Sequence, residues 1–227
     1  MITKEEQEAI NQACKYHPET YRELSILIND PKVNLGEIDT SKITDMSNLF
    51  AFKYRERTDF SGIEKWDMSN VEKMSYMFAG CQSFNQDISN WNVSSVKNME
   101  FMFQCCDNFN QPLNDWNVGN VEDMYGMFCI CTNFNQPLNN WDVGNVYCLN
   151  EMFYDCRAFN QSLNDWCVRE DCYTDYIFEK TAQSYENVNK AFTQDQLQVC
   201  GSEKIIKALN NEKEQKQETK KVKGAHL

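Results

Sequence analysis

Eleven cysteines, two histidines and an excess of carboxylates are the groups of this 227-residue chain whose chemistry goes beyond packing. Nucleophilic catalysis needs a thiol or hydroxyl held beside a base. The histidines are His17, directly before Pro18, and His226, close to the last residue, so Ser-His or Cys-His pairs have almost no raw material. The expectation is a protein that is not an enzyme and uses no cofactor. Cys81, Cys106, Cys131 and Cys156 recur every 25 residues, and thiols stacked about 5 Å apart could touch a soft ion. Zinc ligands converge on one point at C-x₂₋₄-C spacing, whereas this column is a line, so no metal is expected and the thiols read as small buried hydrophobes. The odd cysteine count disfavours a disulfide framework. The opening MITKEEQEAINQACKYHP holds three glutamates in its first eight residues and no basic leader. It does not read as a signal peptide, which points to reduced thiols and a cytoplasmic location, or to the surface or secretion if a leader was removed.

Binding offers more material. All five tryptophans, Trp66, Trp91, Trp116, Trp141 and Trp166, are 25 residues apart. Mostly polar residues flank them: Lys65, Asn90, Asp115, Asn140 and Asp165 before, Asp67, Asn92, Asn117, Asp142 and Cys167 after, of which the Asp and Asn residues are the candidate binding positions. If Trp and the Val two residues on face inward from a strand, these neighbours face outward and form two polar stripes. From residue 79 to 168 there are ten acidic side chains against two basic ones, a net of −8, within a chain of net −12. A solvated, solubilising face explains such stripes as well as a binding site does. The charge argues against nucleic acid, whose backbone is bound through clustered Lys and Arg. A protein partner, neutral-polar or basic, is expected.

The elements that must position these residues follow from the period. Beside tryptophan, the columns Phe78 to Phe178, Met77 to Met152, Phe84 to Phe159 and Asn85 to Asn160 keep the 25-residue register. Within one unit, Leu113, Trp116 and Val118 match the L-x-x-L-x-L pattern of a leucine-rich repeat, and a 25-residue period suits that class. This predicts an α/β repeat solenoid: strands around Trp116 to Val118 forming a short parallel sheet on one face, and short helical or 3₁₀ segments through Val121 to Phe128 on the other. The asparagine column is read as buried amides serving unpaired backbone groups.

The solenoid is placed at residues 33–178 with five to six repeats, after an N-terminal helical cap at 1–32. In that cap, Thr3 with Glu6 reads as a capping box and YRELSILI as an amphipathic helix. Residues 179–210 read as a C-terminal cap and 211–227 as a disordered tail. An imperfect early unit is offset by 28 residues instead of 25, which leaves a bulge carrying Lys53, Arg55 and Arg57 as a secondary candidate site. No apolar run approaches the roughly 18 residues needed to span a bilayer.

The lines DTSKITDMSNLF, FNQDISNWNVSSVKNMEFMF and FNQPLNNWDVGNVYCLNEMF resemble the BspA-like leucine-rich-repeat surface proteins of bacteria, whose repeat carries W-x-V-x-x-V-x-x-M-x-x-M-F and F-N-Q. The resemblance implies a solenoid that binds other macromolecules without catalysis or cofactor. The expected function is therefore a recognition module, monomeric until its partner arrives. The alternative is a structural protein that self-associates through the solenoid ends or tail.

Overall fold

The computed structural model describes residues 3–51, 58–163 and 165–181. Two helices come first, α1 (Lys4–Ala13) and α2 (Tyr21–Asn29). Each opens with a reciprocal capping box, Thr3 with Glu6 and Thr20 with Glu23, which satisfies two of the amides that a helix start leaves bare. Helix α2 buries Leu24 and Ile28, whereas α1 buries nothing. Two 3₁₀ turns follow, at Leu35–Glu37 and Ile63–Lys65.

From there to Thr181 the chain winds in coils that stack on one another, the first step spanning 28 residues and the later ones 25. Isolated parallel bridges join Asp45 to Lys73, Lys73 to Asn98, Asn98 to Asp123, Asp123 to Cys148 and Cys148 to Tyr173. The bridges lie seven residues beyond each tryptophan, which corrects the strand expected at Trp116 to Val118. At Trp116 the backbone instead closes a turn, its N–H donating to Leu113 O (3.0 Å). Beyond the bridge the chain continues as linked turns, not as the expected helical or 3₁₀ segment. Alternate amides reach the next coil, Met99 to Asp123 O, Phe101 to Tyr125 O, Phe103 to Met127 O and Cys105 to Cys129 O, all within 2.7–2.9 Å. The amides between them close local turns, Met102 to Met99 O and Gln104 to Phe101 O. No run of extended backbone survives this alternation, so the coils meet along a ladder of turns.

The interior is a set of stacked columns. Phe103, Phe128, Phe153 and Phe178 lie parallel with centroids 5.6–5.7 Å apart. Trp141 stacks on Trp166 at 6.4 Å and Phe134 on Phe159 at 6.0 Å. These rings and the Met and Val columns form one apolar core from Leu24 to Phe178. No single unit has enough apolar surface to fold alone, so the stacking carries most of the stabilisation.

The Trp and Cys columns also do polar work. Leu113 O accepts from its own coil's Trp116 N–H and again, at 2.8 Å, from Trp141 Nε1 of the next coil. Phe103 O likewise accepts from Cys106 N–H and, at 2.8 Å, from the Cys131 thiol. The same pairing links Trp166 to Leu138 O and Cys156 to Phe128 O. Buried carbonyls carry two lone pairs, and these side chains satisfy the second. Burial pushes the Cys81 thiol up to about 12 and those of Cys106, Cys131 and Cys156 well above the ordinary range.

The asparagine column is exposed or half-buried, not buried as expected. It still serves the backbone: Asn85, Asn110 and Asn135 each accept, through Oδ1, the N–H of the next coil's asparagine at 2.9–3.0 Å. Gln136 and Gln161 extend the ladder by donating to Asn110 O and Asn135 O (3.1 Å each). Nine cysteines are free thiols among the described residues, and Cys167 is disulfide-bonded, against the expectation that every thiol is free. The described helices include none long and apolar enough to cross a membrane.

Candidate functional site

The eight residues flanking the tryptophans share one flank of the stack. Asn90, Asp115, Asn140 and Asp165 are exposed, as are Asn92, Asn117 and Asp142, while Asp67 is half-buried. Four of them have a local backbone task. Asp67 Oδ1 accepts from Ser69 N–H (3.0 Å), Asn92 Oδ1 from Ser94 N–H (3.2 Å), Asn117 Oδ1 from Gly119 N–H (3.3 Å) and Asp142 Oδ1 from Gly144 N–H (3.0 Å). These are Asx turns, and they account for Asp or Asn at that column whatever the flank binds.

Helix α1 lies against the start of this flank. Asn11 Nδ2 donates to Asp67 Oδ2 (2.8 Å) and Gln7 Nε2 to Lys65 O (3.1 Å). A groove of about 680 Å³ runs between the helix and the coils, lined by Gln7, Asn11, Asp67, Asn90 and Asn92 among others. Lys53, Arg55 and Arg57 lie outside the described residues.

A second surface, not anticipated from the sequence, runs along the bridge ladder. Its columns do not repeat: Lys73, Asn98, Asp123, Cys148 and Tyr173 occupy one, Ser75, Glu100, Tyr125, Asn150 and Asp175 the next, and Tyr76, Phe101, Gly126, Glu151 and Tyr176 a third. The third column sits in the left-handed region, with φ of 58° at Tyr76, 50° at Phe101, 55° at Glu151 and 57° at Tyr176. Side chains cost roughly 1–2 kcal/mol there, and glycine would relieve it. Only one coil takes that relief, at Gly126, where a Cβ would lie 2.2 Å from the Phe101 ring.

Aromatic rings and carboxylates interleave on this face. Tyr147 donates its hydroxyl to Asp123 Oδ2 (2.9 Å), Tyr125 to Glu151 Oε1 (3.3 Å) and Tyr76 to Glu100 Oε1 (3.5 Å). The bond to Asp123, aided by burial, pushes the Tyr147 phenol up to about 12. Burial, and then the neighbouring Asp123 carboxylate, raises the Glu100 carboxyl above its ordinary value. Among the described residues, no cation is ion-paired with Glu100, Asp123, Glu151 or Asp175. Tyr147, Tyr173 and Tyr176 are exposed large hydrophobic side chains. No group of three or more His, Cys, Asp or Glu is placed to hold a metal among the described residues.

A family model described as "Mycoplasma protein of unknown function, DUF285" matches the chain twice, over residues 22–129 and 94–192. The chain belongs to that family. The two overlapping matches run through the coils described above, as a model of a repeat laid twice along a longer array would. No curated protein and no solved structure matches it. That family description names no activity.

Proposed function

We propose that this DUF285 chain is a leucine-rich-repeat-like solenoid of the BspA-like kind and acts as a non-catalytic recognition module for a protein partner. The observation that carries the reading is the contrast between columns. Inward positions repeat because each has a packing or hydrogen-bonding task, whereas the ladder face changes identity at every coil and keeps side chains where the backbone favours glycine. Phe101 recovers that strain by packing its ring on Tyr76 and Tyr125, whereas Tyr176 holds it at an exposed position, and strain retained at a surface is a pointer to function. A stack of coils also offers a long continuous surface on which modest contacts add. The acidic flank around Asp115, Asn117, Asn140, Asp142 and Asp165 is the alternative strip for a basic or neutral-polar partner, although Asx turns already give Asn117 and Asp142 a structural task.

The test is photo-crosslinking from defined positions in native lysate. A photoreactive phenylalanine analogue at Tyr147 or Tyr173 is expected to capture a discrete partner. The same analogue at Asp115 reports on the acidic flank. Capture of the chain's own copies alone, together with self-association in light scattering, would replace recognition with assembly. No capture from any of the three positions would end the recognition reading.

A further inference from the structure

We infer that the ladder face docks a lysine- or arginine-rich segment of a partner polypeptide, with the tyrosine rings and the unpaired carboxylates sharing the positive charges. This deepens the recognition reading above and rests on it. Charge complementarity is the first support. Glu100, Asp123, Glu151 and Asp175 occur on successive coils, and none is ion-paired among the described residues. The Asp123 carboxylate acts on Glu100, Tyr147 and Cys148 alike, joined by Glu100 at the last two and by Asp175 at Cys148. From Glu100 to Asp175 the face therefore presents a negative potential, with Lys73 the cation of the same bridge column at its first coil.

The rings are the second support, and they are independent of the charge. Tyr173 is 62 % exposed, Tyr176 52 % and Tyr147 40 %, an unusual exposure for three large rings on one side of two adjacent coils. Tyr173 bridges Cys148, and its N–H donates to Tyr147 O at 2.8 Å, so the Tyr147 and Tyr173 backbones are ladder neighbours. The Tyr147 hydroxyl is anchored on Asp123, which holds that ring in place before a ligand arrives and lowers the ordering cost of binding. An aromatic face attracts guanidinium and ammonium groups, most strongly beside carboxylates that help to desolvate them. The carboxylates are spread along the ladder and do not converge on one point, which suits several cations on one polypeptide better than a single ion.

The experiment is a fluorescence-anisotropy titration of labelled octaarginine against the full chain at about 0.15 M salt, where exposed charges more than about 8 Å apart are largely screened. The wild type is expected to bind. The triple variant Glu100→Gln, Asp123→Asn, Asp175→Asn should weaken binding at least ~10-fold, whereas Asp115→Asn, Asp142→Asn, Asp165→Asn, which removes the same three charges from the other flank, should change it less than ~2-fold. Tyr173→Ala should cost several-fold and Tyr173→Phe almost nothing, because the ring face is the contact. Thermal unfolding of each variant establishes that it is folded. Equal losses from the two triple variants would reduce the effect to diffuse net charge and overturn the proposal. So would wild-type affinity in Tyr173→Ala, or no binding by the wild type. If octaarginine fails while crosslinking at Tyr147 still captures a protein, recognition stands and the basic-segment inference falls.

Discussion

The tryptophan flank and the ladder face are both polar surfaces of the same stack, yet they obey different rules. On the flank, Asp67, Asn92, Asn117 and Asp142 are Asp or Asn, because an Asx turn needs a short side-chain oxygen at that point, and the column departs from these two types only at Cys167 in the last coil. On the ladder face, equivalent positions hold Lys73, Asn98, Asp123, Cys148 and Tyr173, which share no property that the bridge requires. Within a repeat protein, then, a repeated polar residue is first a structural residue. The positions where the repeat is abandoned while the backbone stays constant are the ones free to recognise something.

The comparison can be broken at its strict end first. Trp141→Ala removes a buried ring that stacks on Trp166 and caps Leu113 O, and should cost about 3–5 kcal/mol in denaturant unfolding. A loss below about 1 kcal/mol would mean that the columns do not carry the stack. Next, Asn135→Ala removes the acceptor for Asn160 N–H and for Gln161, with an expected cost of about 1–2 kcal/mol despite its partial exposure. On the ladder face the sign should reverse. Tyr176→Gly relieves a left-handed φ of 57° at an exposed site and should leave stability unchanged or raise it by up to about 1 kcal/mol. Destabilisation would show that the ring is there for the fold.

The smallest effect is a pH dependence. Burial and Asp123 raise the folded-state affinity of Glu100 for its proton above that of the unfolded chain, whose value is near 4.5. The contribution of Glu100 to stability is therefore fully present below that value and is lost as pH rises through the higher folded value. Glu100→Gln should lack that step, so the wild-type-minus-variant stability collected from pH 4 to 7 should fall as pH rises. A wild type that instead lost stability relative to the variant as pH fell through this window would assign Glu100 an ion-pair role.

Much of the interior was legible in the sequence because stacked coils reuse each position. The Trp, Phe, Met and Cys columns are buried where the 25-residue register puts them. The capping box at Thr3 and Glu6 was legible for the same kind of reason, a local pattern with a local mechanism. The position of the parallel bridges was not. Trp-x-Val spacing at 116–118 imitates an alternating strand, but those inward residues sit on turns, and the bridge falls at Asp123. The second role of the Trp and Cys columns does leave a signal in the sequence: only residues with a donor occupy them, although Phe or Leu would pack as well. The ladder face was invisible because attention to repeated columns passes over the columns that fail to repeat. Left-handed φ at Tyr76 and Tyr176 leaves no mark in the residue type, since glycine appears there only once, at Gly126.

The central claim is that varied positions bind while repeated ones hold the fold, and the most direct measurement is an NMR titration that maps shift changes as octaarginine is added to the isotope-labelled chain. The account predicts that perturbations concentrate at Tyr76, Glu100, Asp123, Tyr147 and Tyr173, and that the amides of Asn117, Gly119, Asp142 and Gly144 stay still. Perturbations concentrated on Asp115, Asn117 and Asp142, with a silent ladder face, would contradict it and return the site to the tryptophan flank.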